Sequence, residues 1–97
     1  MHRVTVRIKK VLYDKYQIYL VKNEKKMKED LTKHINSQVL NYQMPCDYCK
    51  EYSNLEYSKL NFEVEKNLYK NYKITLIENN TTPTADIIRH IMEVVEK

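Results

Sequence analysis

The sequence predicts an α+β domain made of two tandem strand–strand–helix (ββα) units that share a four-stranded antiparallel sheet. Both helices lie on one face, and a pseudo-twofold axis relates the units. Three observations predict this. Residues 4–41 lie over residues 60–97 without a gap. Each segment opens on a period-2 alternation of apolar and polar residues, the mark of a half-buried strand. Each closes on apolar residues at helical spacing.

The repeat carries identities along its whole length: Lys10/Lys66, Leu12/Leu68, Tyr13/Tyr69, Tyr16/Tyr72, Ile18/Ile74, Leu20/Leu76, Asn23/Asn79, Asp30/Asp86, His34/His90, Ile35/Ile91 and Val39/Val95. Self-similarity of this kind is the signature of a repeated supersecondary unit. A single domain of 97 residues follows, with repeat one at 4–41, a cysteine-containing linker at 42–57 and repeat two at 60–97.

Taken in order, Val4, Val6 and Ile8 alternate with Thr5, Arg7 and Lys9 and predict the first strand. Tyr13-Asp14-Lys15 is read as a hairpin turn, and Tyr16, Ile18 and Leu20 as a second alternating strand ended by Asn23. Met27, Leu31, Ile35 and Val39, four apart, predict a helix with one apolar stripe. The second copy repeats this reading. Leu60, Phe62 and Val64 form a strand, Tyr69-Lys70-Asn71 a turn, and Tyr72, Ile74 and Leu76 a strand ended by Asn79. Thr82-Pro83 starts a helix carrying Ile87, Ile91, Val94 and Val95, a capping residue followed by proline. A hairpin with one helix is too small to stand alone, so the units must share a core. With the first strands of the copies antiparallel side by side, Arg7 is expected to face Glu65 and Lys9 to face Glu63. Such pairs add stability and specify register.

Composition removes some function classes. Glycine is absent, so no glycine-rich phosphate loop and no Gly-x-Ser-x-Gly elbow exists. Turns that need positive φ must fall on other residues. Lysine, asparagine, tyrosine and isoleucine are abundant, which fits an AT-rich genome such as that of a phage or mobile element. No apolar run reaches the length needed to span a bilayer. The alternating N-terminus does not read as a signal peptide, so a cytoplasmic protein without a membrane partner is expected.

The net charge of +4 is unevenly placed. Residues 1–41 hold ten Lys/Arg and four Asp/Glu, or +6, whereas residues 42–97 hold seven and nine, or −2. A basic half attracts phosphate backbones. Lys25, Lys26, Lys28 and Lys33, on or before the first helix, are candidate contacts, although arginine, the better base reader, is scarce. Among nine tyrosines, Tyr48 and Tyr52 lie in the unrepeated linker and are candidate anchors for a partner.

Pro45-Cys46-Asp47-Tyr48-Cys49-Lys50 resembles the first knuckle of a zinc ribbon, a resemblance that covers these six residues and lacks the second Cys-x-x-Cys. An alternative tetrad is Cys46 and Cys49 with His34 and His90. The histidines hold equivalent positions in the two helices and would meet on a twofold axis, and four such ligands suit zinc. The bland reading of each histidine is a partly buried helix residue. No cofactor is otherwise expected, and no convergent acid, base or nucleophile marks an enzyme. The resulting expectation is a small non-enzymatic binding protein, monomer or homodimer, that acts stoichiometrically on a host protein as anti-defence inhibitors do. The alternatives are a nucleic-acid-binding module using the basic first copy and a self-assembling structural protein that pairs through free edges of the second and fourth strands.

Overall fold

The computed structural model describes residues 1–45 and 56–96. Strand β1 (His2–Lys9) follows its alternation: Val4, Val6 and Ile8 are buried while Arg3, Thr5 and Arg7 are exposed. The second described strand, β2 (Tyr57–Val64), buries Leu60, Phe62 and Val64 and exposes Lys59, Asn61 and Glu63. The two strands pair antiparallel, from His2 opposite Val64 to Lys9 opposite Tyr57. Thr5 lies opposite Asn61. These two residues are also each other's equivalents in the repeat, so the pseudo-twofold axis passes through this pair. The Thr5 hydroxyl donates to Asn61 Oδ1 at 2.7 Å.

The first strands of the two copies are thus antiparallel neighbours, but in a different register from the one expected. Arg7 faces Lys59 and Arg3 faces Glu63. Glu65 has left the strand and caps the next helix, accepting from the N–H groups of Asn67 at 3.0 Å and Leu68 at 2.8 Å. Charge pairing on an exposed face contributes a few tenths of a kcal/mol. The two registers differ by an even number of residues and bury the same six apolar side chains; the observed one pairs every residue of both strands, from His2–Val64 to Lys9–Tyr57.

The expected four-stranded sheet is corrected to a two-stranded sheet with four helices. Helix α1 (Lys10–Lys22) and helix α3 (Lys66–Glu78) occupy the segments read as turn plus second strand. Tyr13-Asp14-Lys15 and Tyr69-Lys70-Asn71 are mid-helix, so each unit is strand–helix–helix. Leu12, Tyr16 and Leu20 form the buried stripe of α1, and Tyr72 and Leu76 that of α3. Ile18 and Ile74, which completed the apparent alternation, point to solvent. A tight hairpin at residue 14 would need left-handed backbone in a chain without glycine, whereas thirteen residues free of glycine and proline suit a helix. The free edges invoked for self-assembly belong to strands that do not exist.

Asn23 and Asn79 cap α1 and α3 at their C-termini. The left-handed residues that follow are Glu24 (φ 52°) and Asn80 (φ 57°). In copy one the Lys25 N–H donates to the Leu20 carbonyl at 2.9 Å and the Glu24 N–H to Val21 at 3.2 Å. Thr81 to Leu76 and Asn80 to Ile77 repeat this at 2.9 and 3.1 Å. Both turns are the paired-bond C-terminal motif that usually uses glycine.

Helix α2 (Met27–Leu40) buries Leu31 and Ile35, and helix α4 (Pro83–Val95) buries Ile87 and Ile91, as their spacing predicted. The Thr82 hydroxyl accepts from the Ala85 N–H at 3.2 Å, with Pro83 opening the helix. The helices interleave between copies: α1 packs on α4 and α2 on α3. One core therefore belongs to both copies. It lies under one face of the ribbon and leaves the other face to solvent. No helix among the described residues is long and apolar enough to cross a membrane.

Candidate functional site

Two groups of polar side chains lie on the pseudo-twofold axis, one inside the molecule and one outside. The inner group is assembled by the interleaving of helices. Asp30 of α2 accepts from its own copy's Tyr16 hydroxyl at 2.6 Å and contacts the other copy's His90 Nε2 at 3.1 Å. Asp86 of α4 accepts from Tyr72 at 2.5 Å and contacts His34 Nε2 at 2.7 Å. A carboxylate only accepts, so Nε2 carries the hydrogen in both contacts. The two imidazoles stack on each other with centroids 4.1 Å apart. Gln38 adds a third donor to Asp86, at 2.9 Å.

Burial alone would push both carboxyls up, because it penalises the charged form. At Asp30 the hydrogen bonds from His90 and Tyr16 outweigh it and hold the group below its ordinary range. At Asp86 the bonds from His34, Tyr72 and Gln38 do the same. Burial first, and then the bonded carboxylates, raise both phenols well above their usual value. The network is a satisfied buried lattice. The side chains of His34 and Asp86 are only 8% and 1% exposed, and a substrate has no approach to them.

The axis brings His34 and His90 together as the repeat predicted, with their Nε2 atoms committed to carboxylates. Among the described residues no group of three or more His, Cys, Asp or Glu side chains is arranged to hold a metal ion. Cys46, Cys49, Tyr48 and Tyr52 lie outside the described residues.

The outer group is the solvent face of the ribbon. Alternation places Arg3, Thr5, Arg7 and Lys9 of β1 beside Glu63, Asn61, Lys59 and Tyr57 of β2. Two of the chain's three arginines stand here, a concentration that composition conceals. The Arg7 guanidinium lies 4.2 Å from the Tyr57 ring centroid and Lys9 Nζ 4.5 Å from it, contacts that orient both cations. Arg3 Nη2 is 3.8 Å from Glu63 Oε1.

The lysines predicted from charge flank this face in part. Lys28, in the first turn of α2, reaches the Met1 sulfur at 3.7 Å, which puts the N-terminus of α2 beside the start of the ribbon. Lys26 is its N-cap residue and supplies no capping side-chain bond. Lys25 donates to the Tyr19 hydroxyl at 3.1 Å. Lys33 is exposed further along α2.

Sequence reasoning missed Asp30, Asp86, Tyr16 and Tyr72 as members of one network and Arg3 and Arg7 as members of one face. The first four were visible as polar identities of the repeat. The arginines were visible only once the sheet was known to have two strands. Fold and site together define a class: a single-chain, pseudo-twofold tandem of strand–helix–helix units with a polar two-stranded ribbon on its surface. No protein-family model matches the chain, and no curated protein or solved structure matches it at a significant level.

Proposed function

We propose that this is a non-enzymatic DNA-binding protein that lays its β1–β2 ribbon in the major groove of a duplex. The observation that carries the reading is the ribbon's outer face, where, among the described residues of the two strands, Arg3, Arg7, Lys9 and Lys59 stand with one carboxylate, that of Glu63. The major groove admits a two-stranded antiparallel ribbon, and side chains on its outer face then reach base edges. Arginine donates to guanine O6 and N7 and asparagine pairs with adenine, so Arg3, Arg7 and Asn61 have the chemistry of base readers. Lys25, Lys26 and Lys28, at the N-terminus of α2, suit phosphate contacts that position without specifying.

The test is fluorescence anisotropy of labelled duplex DNA across a salt series. Affinity is expected to fall steeply between about 50 and 200 mM salt. Replacing Lys25, Lys26 and Lys28 by alanine is expected to reduce the salt slope by about one per phosphate contact removed, and Arg7→Ala to weaken sequence preference. Absence of salt-dependent duplex binding would refute the reading.

A second reading, stoichiometric binding to a host protein, is favoured by apolar residues exposed at matched positions of α1 and α3: Ile18 with Ile74 and Val21 with Ile77. Binding of that kind tolerates salt, is lost on Ile18→Glu with Ile74→Glu, and is indifferent to Arg7→Ala.

A further inference from the structure

Resting on the DNA reading above, we infer that the site read by the ribbon is an asymmetric near-palindrome with chemically unequal halves, so that the protein binds in one orientation. The axis through Thr5 and Asn61 relates Arg3 to Lys59 and Arg7 to Glu63. One end of the ribbon therefore presents Arg7 beside Lys59, and the other presents Arg3 beside Glu63.

The two ends differ in hydrogen-bond sense. Arg7 and Lys59 are both donors, and Lys9 adds a third cation at the same end. Two adjacent donors complement adjacent acceptors, which the major-groove edge of guanine supplies through O6 and N7. Arg3 and Glu63, 3.8 Å apart, set a donor next to an acceptor. That is the complement of one G·C pair, where guanine accepts and the cytosine N4 amino group donates. A carboxylate at this end also repels phosphate and cannot bond to guanine O6 or N7.

A twofold-symmetric ribbon formed by two identical strands cannot encode such a difference. One chain holding two diverged copies can. The interior keeps the copies superposable while the outer positions are free to differ.

The experiment is selection of duplexes from a randomised library by the full chain, in parallel with Glu63→Arg. Glu63 is surface-exposed, and circular dichroism of the variant checks its fold. The wild type is expected to enrich a motif whose halves differ, with adjacent guanine acceptors specified at the Arg7/Lys59 end and a single G·C pair, read on both bases, at the Arg3/Glu63 end. Glu63→Arg, which restores the chemistry of Arg7 at the matched position, is expected to enrich a palindrome with guanine in both halves. Arg7→Ala is expected to lose roughly ten- to hundred-fold of guanine discrimination in one half only. A palindromic motif for the wild type, or a motif unchanged by Glu63→Arg, overturns the asymmetry and leaves DNA binding standing. Failure of every protein to enrich any duplex, with no salt-dependent binding, overturns both.

Discussion

In the buried tyrosine–aspartate–histidine network the pseudo-twofold axis relates identical side chains, whereas on the ribbon's outer face it relates different ones. Tyr16 matches Tyr72, Asp30 matches Asp86 and His34 matches His90, and each carboxylate bonds a tyrosine of its own copy and a histidine of the other. Outside, Arg7 matches Glu63 and Thr5 matches Asn61. The difference follows from what each environment penalises. A buried polar group without its partner loses hydration and recovers nothing, so one substitution in the network strands several atoms. An exposed side chain on the ribbon has water as a partner whatever its type, and its identity is set by what the face meets.

The largest effect expected comes from breaking the interior. Asp86→Ala strands His34, Tyr72 and Gln38 and should cost about 3–5 kcal/mol, the range for removing one member of a buried charged network. Asp30→Ala should cost less. Asp30 has two side-chain partners and its side chain is 9% exposed, and the position matching Gln38 is Val94, which donates nothing. Urea unfolding of both variants measures the contrast. Equal losses would mean that the Gln38 bond adds nothing. Asp86→Asn, which keeps one acceptor, guards against a variant that fails to fold.

Next in size is the pH dependence that the same network imposes. The folded carboxyls of Asp30 and Asp86 lie below their ordinary value of 3.8. The unfolded chain therefore takes up protons first as the solution is acidified. The stability these groups contribute is full above the ordinary carboxylate range and is lost as pH falls through it toward the folded values. Tyr16 and Tyr72 lie above their ordinary value of 10.0, so the unfolded chain loses protons first in alkali, and stability falls as pH rises past about 10. Thermal melts across this span should trace a plateau with two limbs. Asp86→Asn should shrink mainly the acid limb and Tyr72→Phe mainly the alkaline limb, with a smaller loss on the other limb because the two groups share a hydrogen bond, and with part of each limb kept by Asp30 and Tyr16. An acid limb unchanged by Asp86→Asn would mean that this carboxylate does not supply it.

The same contrast governs how much was legible. The strands through Val4 and Leu60, the stripes of α2 and α4 and the Thr82 cap are all local patterns, and each holds. Helices α1 and α3 were misread because Tyr16, Ile18 and Leu20 satisfy period 2 as well as Leu12, Tyr16 and Leu20 satisfy period 4. Burial decides between them: Tyr16 and Leu20 are buried, and Ile18 is 54% exposed. An exposed isoleucine repeated at residue 74 counterfeited a strand twice. The meeting of His34 and His90 could be anticipated because symmetry alone dictates it. Their bonding to Asp86 and Asp30 could not, because it depends on which helices interleave, and that follows from the strand–helix–helix order. Gln38 left no trace in the repeat, since only Asp86 uses such a donor.

The smallest effect expected is at the two helix ends, where the copies make the same turn with different residues. Both Glu24 and Asn80 adopt left-handed backbone. For a residue with a Cβ this conformation costs roughly 1–2 kcal/mol, and asparagine tolerates it better than glutamate. Glycine removes the steric term but gives back part of the gain through the greater freedom of the unfolded chain. Glu24→Gly is therefore expected to stabilise the protein by about 0.5–1 kcal/mol, and Asn80→Gly by a few tenths at most. The shift in denaturant midpoint, at unchanged slope, measures both. Asn80 belongs to neither the ribbon face nor the buried network, so Asn80→Gly should leave duplex binding unaltered, whereas Glu24→Gly removes a carboxylate beside Lys25 and Lys26 and should strengthen it. A larger gain at residue 80 than at residue 24 would mean that Glu24 is held by something other than its backbone. The two turns would then differ for a reason beyond residue preference.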